Sequence, residues 1–353
     1  MLGARARPAG SETEREARAY AAEVLGSLGF DVRAESFTYS EFPGRYAPPV
    51  AGFVLGAAVV TAGALGLAGR AWMGVVVLVS ALVATALFAR WMLARGVLDA
   101  PWLRCESENL VATRGVAPPA VWLVAHLDSK SQPIPSAVRV IGVAVLAIAI
   151  ALMAAAFMVT LAGAPARTLL WVAVAAGVVG ALPVMASVVG SKSDGAVDNA
   201  SGVAAVLAAA ALLDPRSSCG ILLPSAEELG LAGARAWTCS HAASVALNCD
   251  GVDDDGELVI MYNADAPSRV IHAVTAAAAA SGAKPRVRRM PLGLLTDSTA
   301  LADGGWQAVT VSHGSLRTLT RVHTTKDSLD NLRGASISRV ANILARAAEA
   351  LAS

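Results

Sequence analysis

Four long stretches of this chain carry no Asp, Glu, Lys or Arg: Val50–Gly69, Ala71–Ala89, Val140–Ala164 and Thr168–Ser191. A helix of about 20 apolar residues crosses the hydrocarbon core of a bilayer, and each stretch is about that long or longer. Helices in a soluble core are usually shorter and keep a polar edge, which these lack. Trp72, Trp91 and Trp171 lie at the ends of stretches, where interfacial aromatics belong. The joins are short, around Arg70 in one pair and Pro165-Ala166-Arg167 in the other, so the four read as two helical hairpins. Pro183 falls inside the last stretch, where neighbouring helices can tolerate a kink. Arg45, Arg90, Arg95, Arg139 and Lys192 flank the hairpins on the side of the remaining chain, and only Arg70 and Arg167 sit at the tips. The positive-inside rule then places the remaining chain in the cytoplasm, with the bilayer as its partner.

Composition agrees with lipid contact. Hydrophobic residues make up 55% of the chain and charged residues only 16%, against about a quarter in soluble domains. Lys plus Arg is 28 and Asp plus Glu is 27, a balance that offers nothing to nucleic acid. Charges inside membrane segments mark transport pathways, and their absence here argues against a transporter. Cys105, Cys219, Cys239 and Cys249 match no zinc ribbon and no CxxC pair, so they read as core thiols. The opening MLGARARPAGSETEREARAY has no apolar core of signal-peptide length.

The remaining residues form a discontinuous domain, 1–49, 92–139 and 192–353, interrupted by hairpins at 50–91 and 140–191. Ser11-Glu-Thr-Glu14 is a capping box opening a helix to about Leu28. Strand patterns follow at Phe30–Tyr39, Asn109–Thr113, Ala120–Ala125, Gly220–Pro224, Val245–Cys249, Glu257–Tyr262 and Ala308–Ser312. Helical patterns cover Ala200–Leu213, Gly233–His241, Pro267–Ala280 and Ile337–Leu351. The alternation argues for a three-layer α/β/α sandwich with a mostly parallel sheet centre. The first three strands are expected to form an antiparallel meander, since too little helix joins them for parallel crossovers.

Polar residues with chemical potential cluster where these apolar runs stop. His126 follows the strand AVWLVA at once, with Asp128 two residues on, at a spacing that could let it hold the imidazole from behind. Asp198 lies in Gly-Ala-Val-Asp-Asn-Ala-Ser-Gly, where a helix cap is the plain alternative. Glu227 and Glu228 follow the strand ending at Pro224, Asp250 closes VALNCD, and His323 sits in Arg321-Val-His-Thr-Thr-Lys-Asp327. Asp253, Asp254 and Asp255 read as a solvated turn. Ligands in open α/β sheets bind beyond the carboxyl ends of the strands. Two histidines and three carboxylates suit zinc, with manganese or cobalt compatible. Five protein ligands exceed one tetrahedral catalytic zinc and suit two ions sharing a carboxylate and a water.

The order HxD, DNASG, EELG, NCDG and VHTTKD resembles the two-zinc exopeptidase family that includes aminopeptidase S, aminopeptidase Y and glutamate carboxypeptidase. The resemblance spans nearly all residues outside the hairpins. It implies that His126, Asp250 and Asp198 bind one zinc, and that His323, Glu228 and the same Asp198 bind the other. It further implies Glu227 as general base, Asp128 as the residue orienting His126, and a cis Asp198–Asn199 peptide. Some members place a Tyr before the last histidine to hold the oxyanion; here that position is Val322.

The implied activity is a membrane-anchored zinc metallopeptidase, in particular an aminopeptidase acting on peptides near the membrane. The alternatives are a glutaminyl-cyclase-like acyl transferase, which would need one zinc, and a non-catalytic peptidase-like receptor, which would lack ligands or the base.

Overall fold

Apolar runs bounded by turn residues become the central strands, because a strand covered on both faces has no polar side to show. The computed structural model describes residues 2–115, 118–291 and 293–353. In chain order the elements are α1 (Glu12–Ser27), β1 (Asp31–Ser40), α2 (Ala47–Leu67), α3 (Ala71–Trp91), β2 (Arg104–Thr113) and β3 (Val121–Val124). Next come α4 (Ser136–Leu161), α5 (Arg167–Met185), α6 (Gly202–Leu212), β4 (Cys219–Leu223), α7 (Ala232–Ser240), β5 (Val245–Val252) and β6 (Glu257–Tyr262). The chain ends with α8 (Ser268–Ala280), β7 (Arg286–Arg289), α9 (Asp297–Asp303), β8 (Gln307–Gly314), α10 (Leu316–Arg321) and α11 (Ile337–Ala352).

The residues fall into two units: Met1–Ser40, Leu103–Ser131 and Ser191–Ser353 in one, Glu41–Trp102 and Gln132–Gly190 in the other. The first unit is built on an eight-stranded sheet in the order β1-β2-β4-β3-β5-β8-β6-β7. β3, β4, β5 and β8 run parallel, whereas β1–β2, β2–β4 and β6–β8 are antiparallel. The expected meander is therefore corrected: β1 and β2 pair as a hairpin would, but β4 lies between β2 and β3. The long excursion after β3 frees the edge of β2 for β4, which brings the apolar CGILL into the sheet interior.

Period-two alternation sorts side chains to the two faces. Val121, Leu123, Ile221, Leu223, Leu247 and Val309 join one core with residues of α1, α6, α8 and α11. Trp122, Val124, Leu222, Ala246 and Ala308 join the other with Trp237 of α7 and Leu301 of α9. The architecture is thus three layers, helix on sheet on helix. β7 escaped the sequence reading because all four of its residues, Arg-Val-Arg-Arg, are exposed. It is an edge strand whose charges oppose pairing with another chain.

Both insertions are closed at their bases within this unit. Ser40 at the end of β1 lies opposite Arg104 at the start of β2. The Lys192 N–H donates to Ser131 Oγ at 2.8 Å. Cys219 and Cys249 are buried thiols.

The second unit contains four helices long and apolar enough to cross a membrane, Ala47–Leu67, Ala71–Asp99, Ser136–Leu161 and Arg167–Met185. They pack through small residues: a Cβ on Gly180 would lie 2.5 Å from Leu146 N, and one on Gly56 would lie 2.6 Å from the Ala181 methyl. Such close approach is the usual device between membrane helices, where the hydrophobic effect adds nothing. Large apolar side chains point outward instead, including Leu87, Val140, Ile141 and Val179, each more than 60% exposed.

Candidate metal centre

Three of the parallel strands, β3, β4 and β5, deliver polar residues to one edge of the sheet. His126 follows β3, Glu227 and Glu228 form a 3₁₀ turn after β4, and Asp250 lies near the end of β5 at a bulge. Asp198 and His323 come from loops. Two sets of three donors result, His126–Asp198–Asp250 and Asp198–Glu228–His323, with the donor atoms of each within 4.8 Å of one another. His126 Nε2 lies 3.2 Å from Asp198 Oδ1, 3.9 Å from Asp250 Oδ1 and 3.9 Å from Glu227 Oε2. His323 Nε2 lies 2.9 Å from Asp198 Oδ2 and 3.3 Å from Glu228 Oε1. Asp198 therefore turns one oxygen to each set.

Donor chemistry fits a cation. His126 Nδ1 lies 3.0 Å from the Asp128 carbonyl oxygen, so the proton sits on Nδ1 and Nε2 presents a lone pair. That Nε2 is buried without a hydrogen-bond partner, as is Glu228 Oε1. Lone pairs aimed at carboxylate oxygens in a buried site repel unless a cation lies between them. Burial pushes Asp250 up to about 7, and the charge of Asp198 pushes it the same way. Burial also pulls His126 down, but Glu227, Asp128 and Asp198 outweigh it and leave the imidazole well above its usual range. The neighbouring carboxylates thus add to burial at Asp250 and oppose it at His126.

The surrounding residues hold this geometry from every side. Asp128 turns its carbonyl oxygen to His126, while its carboxylate accepts the N–H groups of Glu227 (3.0 Å) and Glu228 (3.1 Å). It thus fixes the imidazole and the glutamate turn together. Asp327 accepts the N–H groups of Val197 (2.7 Å) and Asp198 (3.2 Å). Asn199 donates to the Cys249 carbonyl and accepts from the N–H groups of Gly202 and Gly251, tying the Asp198 loop to β5. Position 202 has no room for a side chain, since a Cβ would stand 2.1 Å from Asn199 Oδ1 and 2.6 Å from Cys249 O. The Asp198–Asn199 peptide is cis. Arg7 donates to the carbonyls of Leu127, Asp194 and Gly195, joining the His126 and Asp198 loops.

Lys130 and Asp297 escaped the sequence reading, and Asp253 and Asp254 correct it. Lys130 makes an ion pair with Glu228 Oε2. Asp297, at the start of α9, is fully buried with neither carboxylate oxygen bonded, and burial pushes it up to about 8. Asp253 is no solvated turn: it is 2% exposed and accepts from Thr318 Oγ1 and Arg321. Asp254 caps the N–H groups of Arg333 and Ala335. Lys, Asp and Ser in short polar strings look like surface; only burial distinguishes them.

Among curated proteins none matches the sequence. The fold is similar to that of the aminopeptidase from Aneurinibacillus sp. strain AM-1, with a TM-score of 0.58 and 15% identity, covering 98% of this chain and 90% of that one. It is also similar to the zinc aminopeptidase of Bacillus subtilis (TM-score 0.55, 13% identity, 97% and 90% covered). The glutaminyl cyclase of Fimbriiglobus ruber stands close behind (TM-score 0.54, 14% identity, 98% and 90% covered). By sequence, residues 109–348 match the model of Peptidase family M28. That match takes in all five donors and both glutamates, and the chain belongs to this family.

Proposed function

We propose that this chain is a membrane-anchored zinc aminopeptidase whose site takes two ions. His126, Asp198 and Asp250 would hold one, and Asp198, Glu228 and His323 the other. The observation that carries the reading is the pair of three-donor sets sharing Asp198, with a further buried carboxylate, Glu227, that belongs to neither. Zinc bound there supplies Lewis acidity, lowering the pKa of a water toward neutrality and drawing charge from a carbonyl oxygen.

The chain's own residues supply proton transfer and alignment. Burial raises the Glu227 carboxyl well above its usual range, with the charge of His126 only partly offsetting this. A carboxylate so placed takes a proton from the attacking water and returns it to the leaving amine. Asp128 keeps the Glu227 turn and the His126 ring in register with each other. Val322 offers no phenol to the oxyanion, so that charge falls to the metal site and its surroundings.

The four apolar helices support a membrane anchor, with the catalytic unit on the cytoplasmic side by the distribution of flanking Arg and Lys. The chain leaves and re-enters the catalytic unit at Ser40, Leu103, Ser131 and Ser191. The antiparallel register of β2 on β4 carries Ser40 and Arg104 beyond the carboxyl end of β4, the edge that bears Glu227. Ser131 and Ser191 flank the excursion between His126 and Asp198. Peptides presented near the membrane, hydrophobic ones above all, are the proposed substrates.

A glutaminyl-cyclase-like acyl transfer is the second reading, raised by the likeness to the Fimbriiglobus ruber fold. Two complete donor sets favour hydrolysis over it. Detergent-purified protein should be offered fluorogenic aminoacyl substrates, N-terminal glutaminyl peptides, and hydrophobic peptides with and without lipid vesicles. Hydrolysis that is lost on chelation and restored by zinc is expected. Cyclisation without hydrolysis would replace this reading with the second.

A further inference from the structure

We infer that Lys130 makes the two metal positions unequal, so that the His126–Asp198–Asp250 set takes zinc before the Asp198–Glu228–His323 set. The inference rests on the two-metal reading above. Lys130 Nζ pairs with Glu228 Oε2, while Glu228 Oε1 faces His323 Nε2 at 3.3 Å and has no hydrogen-bond donor. One oxygen of Glu228 is therefore committed to an ammonium and one is left for a metal. Asp250, the corresponding carboxylate of the other set, pairs with no Lys or Arg among the described residues, and its nearest ionic partner is His126.

The ammonium thus pairs directly with a carboxylate of the second set alone, while its charge reaches the shared Asp198 only through space. Each has two carboxylates and an imidazole, but only the second has an ammonium against its carboxylate. In a buried, weakly screened site that ammonium both neutralises a ligand and repels an incoming dication. Lys130 is also well placed to stay where it is. Its side chain is only 16% exposed. Its neighbours are pinned, because the Ser129 N–H donates to the Arg7 carbonyl at 2.9 Å and Ser131 Oγ accepts the Lys192 N–H. A lysine on such a segment loses little freedom in holding its partner.

The test is zinc binding to the full-length, metal-stripped protein in detergent, by competition with a chelator of known zinc affinity. Wild type is expected to bind two zinc ions in two steps separated by about tenfold or more. Lys130→Met should tighten the weaker step by about tenfold or more and shift the stronger one much less, because Lys130 touches Glu228 but acts on Asp198 only through space. Lys130→Gln should act in the same way, which separates charge from packing, and Lys130→Arg should keep the wild-type separation. Lys192→Met, at a lysine outside both sets, should change nothing. Two equal steps in wild type would overturn the inference, as would a weaker step left unchanged or loosened in Lys130→Met. Failure to bind zinc at either step would instead remove the two-metal reading itself.

Discussion

Glu227 and Glu228 are adjacent in sequence and opposite in environment. Burial raises both, but Lys130 and His323 overcome it at Glu228 and bring that carboxyl down to about 2. At Glu227 burial outweighs the charge of His126, and the nearby carboxylates of Glu228, Asp297 and Asp250 add to it, so that carboxyl stays high. Neighbouring carboxyls pushed apart in this way mark a ligand and a proton carrier. Glu228→Gln should therefore cost one zinc per chain and lower hydrolysis by about a hundredfold or more, read by elemental analysis and steady-state rates. Retention of both ions would assign Glu228 another role. Glu14, on α1, carries a separate cost. Burial, and then the charge of Asp128, raises its carboxyl from 4.5 to about 7. Folding thus favours the protonated form, so its stabilising contribution is complete below about pH 4.5 and is lost as pH rises through about 7. The difference amounts to roughly 3 kcal/mol at most. Between pH 6 and 8 the melting temperature of wild type should fall relative to that of Glu14→Gln. Parallel curves would show that Glu14 does not carry this pH dependence.

Among the elements, glycines show where packing has no slack. Gly180 of α5 meets the backbone of α4 so closely that its Cβ would stand 2.5 Å from Leu146 N and 2.9 Å from Gly142 O. Gly180→Leu has to push these helices apart and should destabilise the protein by about 1–3 kcal/mol or more. Gly26 of α1 is the contrast, with nothing within 4 Å of an added Cβ. Gly26→Ala should stabilise by about 0.5–1 kcal/mol, because the unfolded chain loses freedom and the helix gains propensity. Differential melting in one detergent checks both; a neutral Gly180→Leu would mean that the two helices can separate without loss. The same contrast explains what could be read from sequence. β3, β4 and β5 are apolar on both faces and declare themselves as buried strands. The charged edge strand β7 and the short helices α9 and α10 have too few apolar residues to declare anything. The five donors were legible because each stops an apolar run or sits in a distinctive loop. Lys130 and Asp297 were not, because their meaning lies in burial that only the fold creates. The place of β4 between β2 and β3 was equally hidden, since it depends on a pairing across more than 100 residues of chain.

At the scale of the whole molecule, the chain carries both a sheet of the zinc-exopeptidase fold and an apolar four-helix unit. The chain should remain in membranes after alkaline carbonate washing, and release into the supernatant would remove the anchor from the proposal. Protease added to intact cells should spare the catalytic unit, and its digestion would reverse the proposed orientation. Both outcomes concern location, whereas the central claim concerns chemistry: two ions held by five donors, with Glu227 outside the ligand set. It is tested most directly by measuring zinc content and peptide hydrolysis together in wild type and Glu227→Gln. The account predicts about two zinc ions per chain in both proteins, with hydrolysis only in wild type. One zinc per chain in wild type, or loss of zinc from Glu227→Gln, would contradict it.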